Sequence, residues 1–293
     1  MKEKSVAFLG LGIMGSGMAG RLLAHGFHVS VYNRDPQKAA PLQSAGGTVA
    51  GSPREATDGA AVVVSMVADD AAARSVWLGE NGALAGAAPG AVLVESSTIT
   101  VDWVKELAAA AAAKGCDLLD APVTGSKAQA ASGELNFLVG GSTSALETAR
   151  PALTAMSRSI VHLGPSGSGA LLKLINNFLC GVQVASLAEG LAVIERSGLD
   201  RAKALEILTN GAPGSPLVKA LSARMTTRDY QPNFLLRLMA KDLSYAIAEG
   251  HKFSLNLATP AAALGLFQQG VAAGHGEQDI AALVEQFRNG STQ

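Results

Sequence analysis

Short apolar runs alternate with amphipathic stretches over the first half of the 293-residue chain. The run SVAFL, 5–9, is followed at once by Gly10 and a helical pattern from Met14 to His25, and HVSVYN, 28–33, comes next. Strand, helix and strand in that order predict a βαβ unit. Further strands are predicted at 62–67, 92–96, 117–121, 135–139 and 160–163, between helices at 36–45, 53–58, 70–77, 100–114 and 143–156. Runs that are apolar at successive positions belong to strands covered on both faces, so the alternation predicts a mostly parallel, doubly wound α/β sheet. Asp35 before Pro36 and the stretch Ser52-Pro53-Arg54-Glu55 mark helix starts, and Asp69 with Asp70 reads as capping rather than an acid/base pair.

After GPSGSG, 164–169, the strand pattern stops. Helical patterns then run at 168–196, 201–209, 215–225, 234–250, 258–273 and near 277–288. The shift predicts a domain boundary, with a nucleotide-binding domain over 1–164 and an all-helical domain over 165–293 joined by the long helix. A net charge of -1 and the lack of any block of like charges argue against nucleic acid as partner. Cys116 and Cys180 have no CxxC spacing and the five histidines no ligand spacing, so neither a disulfide nor a metal site is expected. No stretch reads as the ~18 consecutive apolar residues of a membrane span, and the basic start at Lys2 and Lys4 is too short to open a signal segment. A cytoplasmic protein without membrane contact is the expectation.

GLGIMG, with Gly10, Gly12 and Gly15, fits G-x-G-x-x-G directly after a strand and at the start of a helix. Gly10 suits the tight turn, Gly12 lets backbone approach a pyrophosphate, and Gly15 allows close helix packing, with the helix N-terminus facing the phosphates. The domain is therefore predicted as Rossmann-type. An NAD site usually ends its second strand in Asp or Glu; here Asn33-Arg34 stands there, which removes a repelling carboxylate and offers a guanidinium to a 2′-phosphate. NADP is expected over NAD.

Later in the chain, Lys173 and Asn177 lie four apart in the long apolar helix and share a face. Together with FLGLGIMG (8–15), DAPVTGSKAQAASGEL (120–135), GALLKLINN (169–177) and KDL (241–243), they make the chain resemble the β-hydroxyacid dehydrogenases, the 6-phosphogluconate and 3-hydroxyisobutyrate dehydrogenase superfamily. PVTGSK and YNRDPQK look most like the NADPH-dependent glyoxylate and succinic semialdehyde reductase branch, where Thr124 is usually Ser. The resemblance implies Lys173 as catalytic residue and Thr124, Gly125 and Ser126 as the loop that holds a substrate carboxylate, with Asn177 and Asp242 also on the substrate. It implies a cofactor held by Gly10, Leu11, Gly12, Ile13, Met14 and Gly15, by Asn33, Arg34 and Lys38 near the 2′-phosphate, by Val67, Ala68 and Thr98 beside the nicotinamide, and by Lys241.

The residue types agree with that chemistry. Hydride transfer to a carbonyl leaves negative charge on oxygen and calls for a proton donor. A lysine free in water titrates at about 10.4; partial burial and the Lys241 cation would both favour its neutral form. The PVTGS loop offers backbone N–H groups and hydroxyls to a carboxylate. The partner implied is a small carboxylate-bearing aldehyde or hydroxyacid, and a homodimer or homotetramer is expected. A 3-hydroxyisobutyrate or other 3-hydroxyacid dehydrogenase is the near alternative. Imine reductases usually lack the lysine, and a non-catalytic binding protein would be expected to lose the lysine or the glycines.

Overall fold

The computed structural model describes residues 5–289, so Lys2, Lys4 and the signal-segment reading of the start lie outside the described residues. The chain divides into two compact units, Met1–Lys173 and Leu174–Gln293.

In the first unit the chain runs through β1 (Ser5–Leu9), α1 (Gly15–Ala24), β2 (His28–Tyr32), a 3-10 turn Pro36–Ala39, α2 (Ala40–Ser44), β3 (Thr48–Val49), α3 (Pro53–Thr57) and β4 (Val62–Ser65). It continues through α4 (Asp70–Trp77), α5 (Ala83–Gly86), β5 (Val92–Glu95), α6 (Val101–Ala113) and β6 (Asp117–Asp120). After these come β7 (Val123–Thr124), α7 (Lys127–Ser132), β8 (Leu135–Gly140), α8 (Thr143–Met156) and β9 (Ser157–Gly164), and then α9 (Ser168–Ser197) begins. The strand order is β3-β2-β1-β4-β5-β6-β8-β7, with β9 also on β8. From β3 to β6 every pairing is parallel.

Burial explains the apolar runs. Val6 and Phe8 face one core with Met18 and Leu22 of α1 and Leu153 of α8. Ala7 and Leu9 face the other, with Trp77 of α4 and Trp103 and Leu107 of α6. Alternate residues thus point to opposite faces, both covered. The order in which strands are laid down switches sides at β1, with β2 and β3 to one side of it and β4, β5 and β6 to the other, and the carboxyl ends of the parallel neighbours β1 and β4 form the crevice where such folds take ligands.

The sheet differs from a wholly parallel one beyond β6. Both β6 and β7 pair antiparallel with β8, and β9 is half-buried to exposed along its length rather than a buried apolar run. Asp35 accepts Gln37 N–H at 3.1 Å, Ser52 accepts Glu55 N–H at 3.1 Å and Asp69 accepts Ala72 N–H at 2.8 Å, each as the cap read from sequence. Asp70 instead accepts the N–H of Thr100, at 3.0 Å, and its hydroxyl.

The second unit holds the rest of α9, then α10 (Arg201–Asn210), α11 (Pro216–Thr227), α12 (Leu236–Lys252) and α13 (Ala258–Gly270). It closes with a π segment Val271–His275, a 3-10 turn Ile280–Val284 and α14 (Glu285–Asn289). Val184, Leu191, Met225, Met239, Leu243 and Phe267 are central to its core. One expectation needs correcting: α9 is long and apolar enough, by length and composition, to cross a membrane, with 44% of that window buried within the structure. Its polar residues, among them Lys173, the adjacent Asn176 and Asn177, Gln183 and Glu189, are few among apolar ones, so they dilute the run without ending it.

Candidate active site

The glycine loop leaves the carboxyl end of β1. Gly10 has φ +99°, and a Cβ there would stand 2.4 Å from Met66 O, so turn and neighbouring strand both demand glycine. At Gly15 a Cβ would meet Gly10 O at 2.0 Å. Gly12 differs: a Cβ there would have nothing within 4 Å. The fold itself does not require that glycine, which is what a loop shaped for close approach of a pyrophosphate should show. Leu11, between them, donates its N–H to Asn33 Oδ1 at 2.8 Å, and Asn33 Nδ2 donates to Asp35 O at 2.8 Å. Asn33 therefore locks the end of β2 to the loop, while Arg34 and Lys38 stand exposed beside it. Ile13 and Met14 are half-buried at the entry to α1. The donor set fits a dinucleotide.

At the carboxyl ends of β4 and β5 lie Val67, Ala68 and Thr98. Val67 N–H donates to Ser97 Oγ at 2.8 Å, tying these two ends together. Beneath them Glu95, fully buried, accepts Ser97 N–H at 2.9 Å and Trp77 Nε1–H at 2.6 Å. Burial pushes the Glu95 carboxyl up, against the pull of the Ser97 and Trp77 bonds.

Thr124, Gly125 and Ser126 turn from β7 into α7. Thr124 Oγ1 accepts from Asn136 Nδ2 at 3.4 Å. Gly125 has φ +121°, and a Cβ would press on Leu135 at 2.9 Å. Ser126 directs both its N–H, at 2.9 Å, and its hydroxyl, at 2.5 Å, to Gln129 Oε1. The turn thus spends Ser126 on its own shape, while Thr124 is half-buried and Gly125 exposed. Lys173, half-buried, belongs to the same compact unit.

Asn177, Lys241 and Asp242 belong to the second unit. Asn177, 3% exposed, donates through Nδ2 to Asp242 Oδ2 at 2.6 Å and accepts from Asn176 Nδ2 at 2.9 Å. Lys241 Nζ pairs with Asp242 Oδ1 at 2.9 Å and sits 4.8 Å from the Tyr245 ring centroid. The sequence treats Asn177 as an amide waiting for a substrate; the fold gives it an internal carboxylate partner, and the Lys241 cation is balanced by the same group. At Gly181 a Cβ would stand 2.9 Å from Leu243 and 3.0 Å from Met239 Sδ, so α9 and α12 approach closely where Asn177 meets Asp242.

Sequence reasoning passed over Glu95 and Asp120. Each is a buried acid at a strand end, and the local signal is a carboxylate directly after apolar residues, with Asp120 also opening the stretch 120–135. Among the described residues neither cysteine forms a disulfide, and no cluster of metal-binding side chains occurs.

Known proteins match both units. Residues 5–164 fit the family described as the NAD binding domain of 6-phosphogluconate dehydrogenase. Residues 167–287 fit that described as NAD-binding of NADP-dependent 3-hydroxyisobutyrate dehydrogenase. An NAD-dependent L-serine dehydrogenase of Pseudomonas aeruginosa is 36% identical over 291 residues, 97% of this chain and 98% of its own. Glyoxylate/succinic semialdehyde reductase 1 of Arabidopsis thaliana is 34% identical over 280 residues, 96% of this chain and 97% of its own. The crystal structure of a 3-hydroxyisobutyrate dehydrogenase from Salmonella typhimurium gives a TM-score of 0.89 at 30% identity, covering 96% of this chain and 99% of that one.

Proposed function

The chain belongs to the β-hydroxyacid dehydrogenase family, NAD(P)-dependent oxidoreductases acting on CH–OH groups, and from that premise we propose that it reduces a small aldehyde acid of the glyoxylate or succinic semialdehyde type with NADPH, Lys173 giving the proton. The observation that carries this reading is Lys173 itself, a half-buried ammonium in the first turns of α9, in the same unit as the glycine loop and the Thr124–Ser126 turn.

Reduced nicotinamide, when bound, supplies the hydride. Lys173 is assigned the proton that converts the developing alkoxide to a hydroxyl. The Thr124 hydroxyl and Gly125 N–H are assigned to the substrate carboxylate, with Ser126 holding the turn through Gln129. Asn177 and Asp242 are assigned to substrate and Lys241 to cofactor on the family resemblance; their mutual bonds support treating them as one group. The preference for NADPH rests on the exposed Arg34 and on Asn33, whose amide brings no negative charge to the end of β2. Asp35, the nearest carboxylate in the chain, is occupied as a cap. A cytoplasmic location, suited to two cysteines outside any disulfide, and assembly with further copies of the chain belong to the same proposal.

A second reading is oxidation of a hydroxyacid such as 3-hydroxyisobutyrate or L-serine, favoured by what the Salmonella and Pseudomonas relatives are named for. Steady-state kcat/KM for glyoxylate, succinic semialdehyde, 3-hydroxyisobutyrate and L-serine, each with both nicotinamides, separates the two. The proposal expects the largest value for an aldehyde acid with NADPH. A largest value for a hydroxyacid with NAD would overturn it.

A further inference from the structure

We propose that Asp120 is a positioning residue for Lys173, fixing the start of the helix that carries the lysine to the strand end from which the Thr124–Ser126 turn departs. This rests on the reading of Lys173 as proton donor.

Asp120 closes β6 and is 1% exposed. Its Oδ1 accepts Gly167 N–H at 2.8 Å and its Oδ2 accepts Ala170 N–H at 2.8 Å. These donors flank the start of α9 at Ser168, where a helix has N–H groups with no partner of its own. Each carboxylate oxygen takes one of them, so the group spans the opening turn rather than touching one point of it. A negative charge at a helix N-terminus is also favourable to the macrodipole. Ala170 and Lys173 are three apart, hence neighbours on the helix surface. On the other side, Asp120 is followed by Ala121-Pro122 and then β7, which ends in Thr124. The turn and the lysine therefore share one anchor.

Nothing cushions that anchor. A Cβ at Gly169 would stand 2.2 Å from Leu138 O and 2.6 Å from Asp120 O. At Gly140 it would stand 2.5 Å from Asp120 Oδ1 and 2.8 Å from Pro165 O. The helix start thus lies directly against the strand ends, and displacing it would break both carboxylate bonds together. A donor misplaced by about 1 Å is enough to cost a reaction on the order of 10²-fold. Burial pushes the Asp120 carboxyl up, while the N–H groups of Gly167 and Ala170 pull it down. Asp120→Asn removes a buried charge at nearly constant volume, yet its NH2 must face one of the two backbone donors. The variant loses one tie without opening a cavity.

The test is a double-mutant cycle on the full chain with Asp120→Asn and Lys173→Ala. It reads kcat, KM and NADPH Kd by fluorescence titration. The expected result is a kcat lowered by about 10–10²-fold in Asp120→Asn, with KM and Kd within about twofold and no further loss of kcat when the lysine is already alanine. An unchanged kcat in Asp120→Asn, or the same fractional loss in both backgrounds, would overturn the proposal and leave Asp120 a structural cap. Lys173→Ala with full kcat would instead overturn the reading of the lysine, and the proposal with it. If Asp120→Asn does not fold, Asp120→Ser, small and neutral with an oxygen for one N–H, carries the same expectations.

Discussion

At the scale of the residue, the glycine loop holds two different kinds of glycine. Gly15 is required by packing, since a methyl would meet Gly10 O at 2.0 Å. Gly15→Ala is expected to lower stability by about 1–3 kcal/mol or more. Gly12, with nothing within 4 Å of its missing Cβ, is expected to accept alanine with a Tm change of about 2 °C or less while losing on the order of tenfold in dinucleotide affinity. Thermal melts and cofactor titration check the pair, and equal melting losses would contradict the distinction. Arg34→Ala should weaken NADPH by about 1.5–3 kcal/mol, the range of a charge-assisted hydrogen bond, and leave NADH nearly unchanged; an equal loss for both would remove the 2′-phosphate assignment. The motif made Gly10, Gly12 and Gly15 legible in the sequence because spacing alone defines it. Asp120 was not legible in the same way: its partners Gly167 and Ala170 lie 47 and 50 residues on, and only the fold brings them to it.

At the scale of the element, most of the long strands and helices, α10 being the exception, follow the apolar pattern closely because they bury a face of their own. Those it passed over, β3, β7, α5 and α7, are short pieces of two to six residues. Such pieces are held by neighbours rather than by periodicity of their own. Asn177 and Asp242 were each picked out by family motif, but their bond could not be read from positions 65 apart. The end of α9 shows how separate elements are fastened. Arg288 of α14 donates through Nε to Glu195 Oε2 at 2.9 Å, and through Nη2 to Oε1. The guanidinium holds the Glu195 carboxyl below its ordinary value of 4.5. A carboxyl depressed by folding contributes stability that is present above its unfolded pKa and lost as pH falls through the folded one. Glu195→Gln should therefore cost about 1–3 kcal/mol near neutral pH, with the gap to wild type closing as pH drops below 4.5. Denaturant unfolding at several pH values measures it, and a gap that is constant with pH would contradict the pairing.

At the scale of the whole molecule, α10 has no buried residue at all, although a helix of its length is marginal in water without packing. Leu199 before it is 61% exposed and Ile207 within it 72%, while α9 exposes Leu179 at 51% and Val193 at 66%. Apolar surface of this kind on the second unit is expected to be covered by further copies of the chain. Light scattering at micromolar concentration should return two or four times the chain mass of 29.7 kDa, and a monomer mass would contradict that. Catalysis is a separate question, and its central claim is that Lys173 delivers the proton. The direct measurement is kcat of Lys173→Ala on the aldehyde acid turned over best, at saturating NADPH, beside NADPH Kd and Tm of the same preparation. A general acid removed should lower kcat by about 10²–10⁴-fold with Kd within about twofold and Tm within about 2 °C. Full turnover, or a loss no larger than the unfolded fraction explains, would contradict the account.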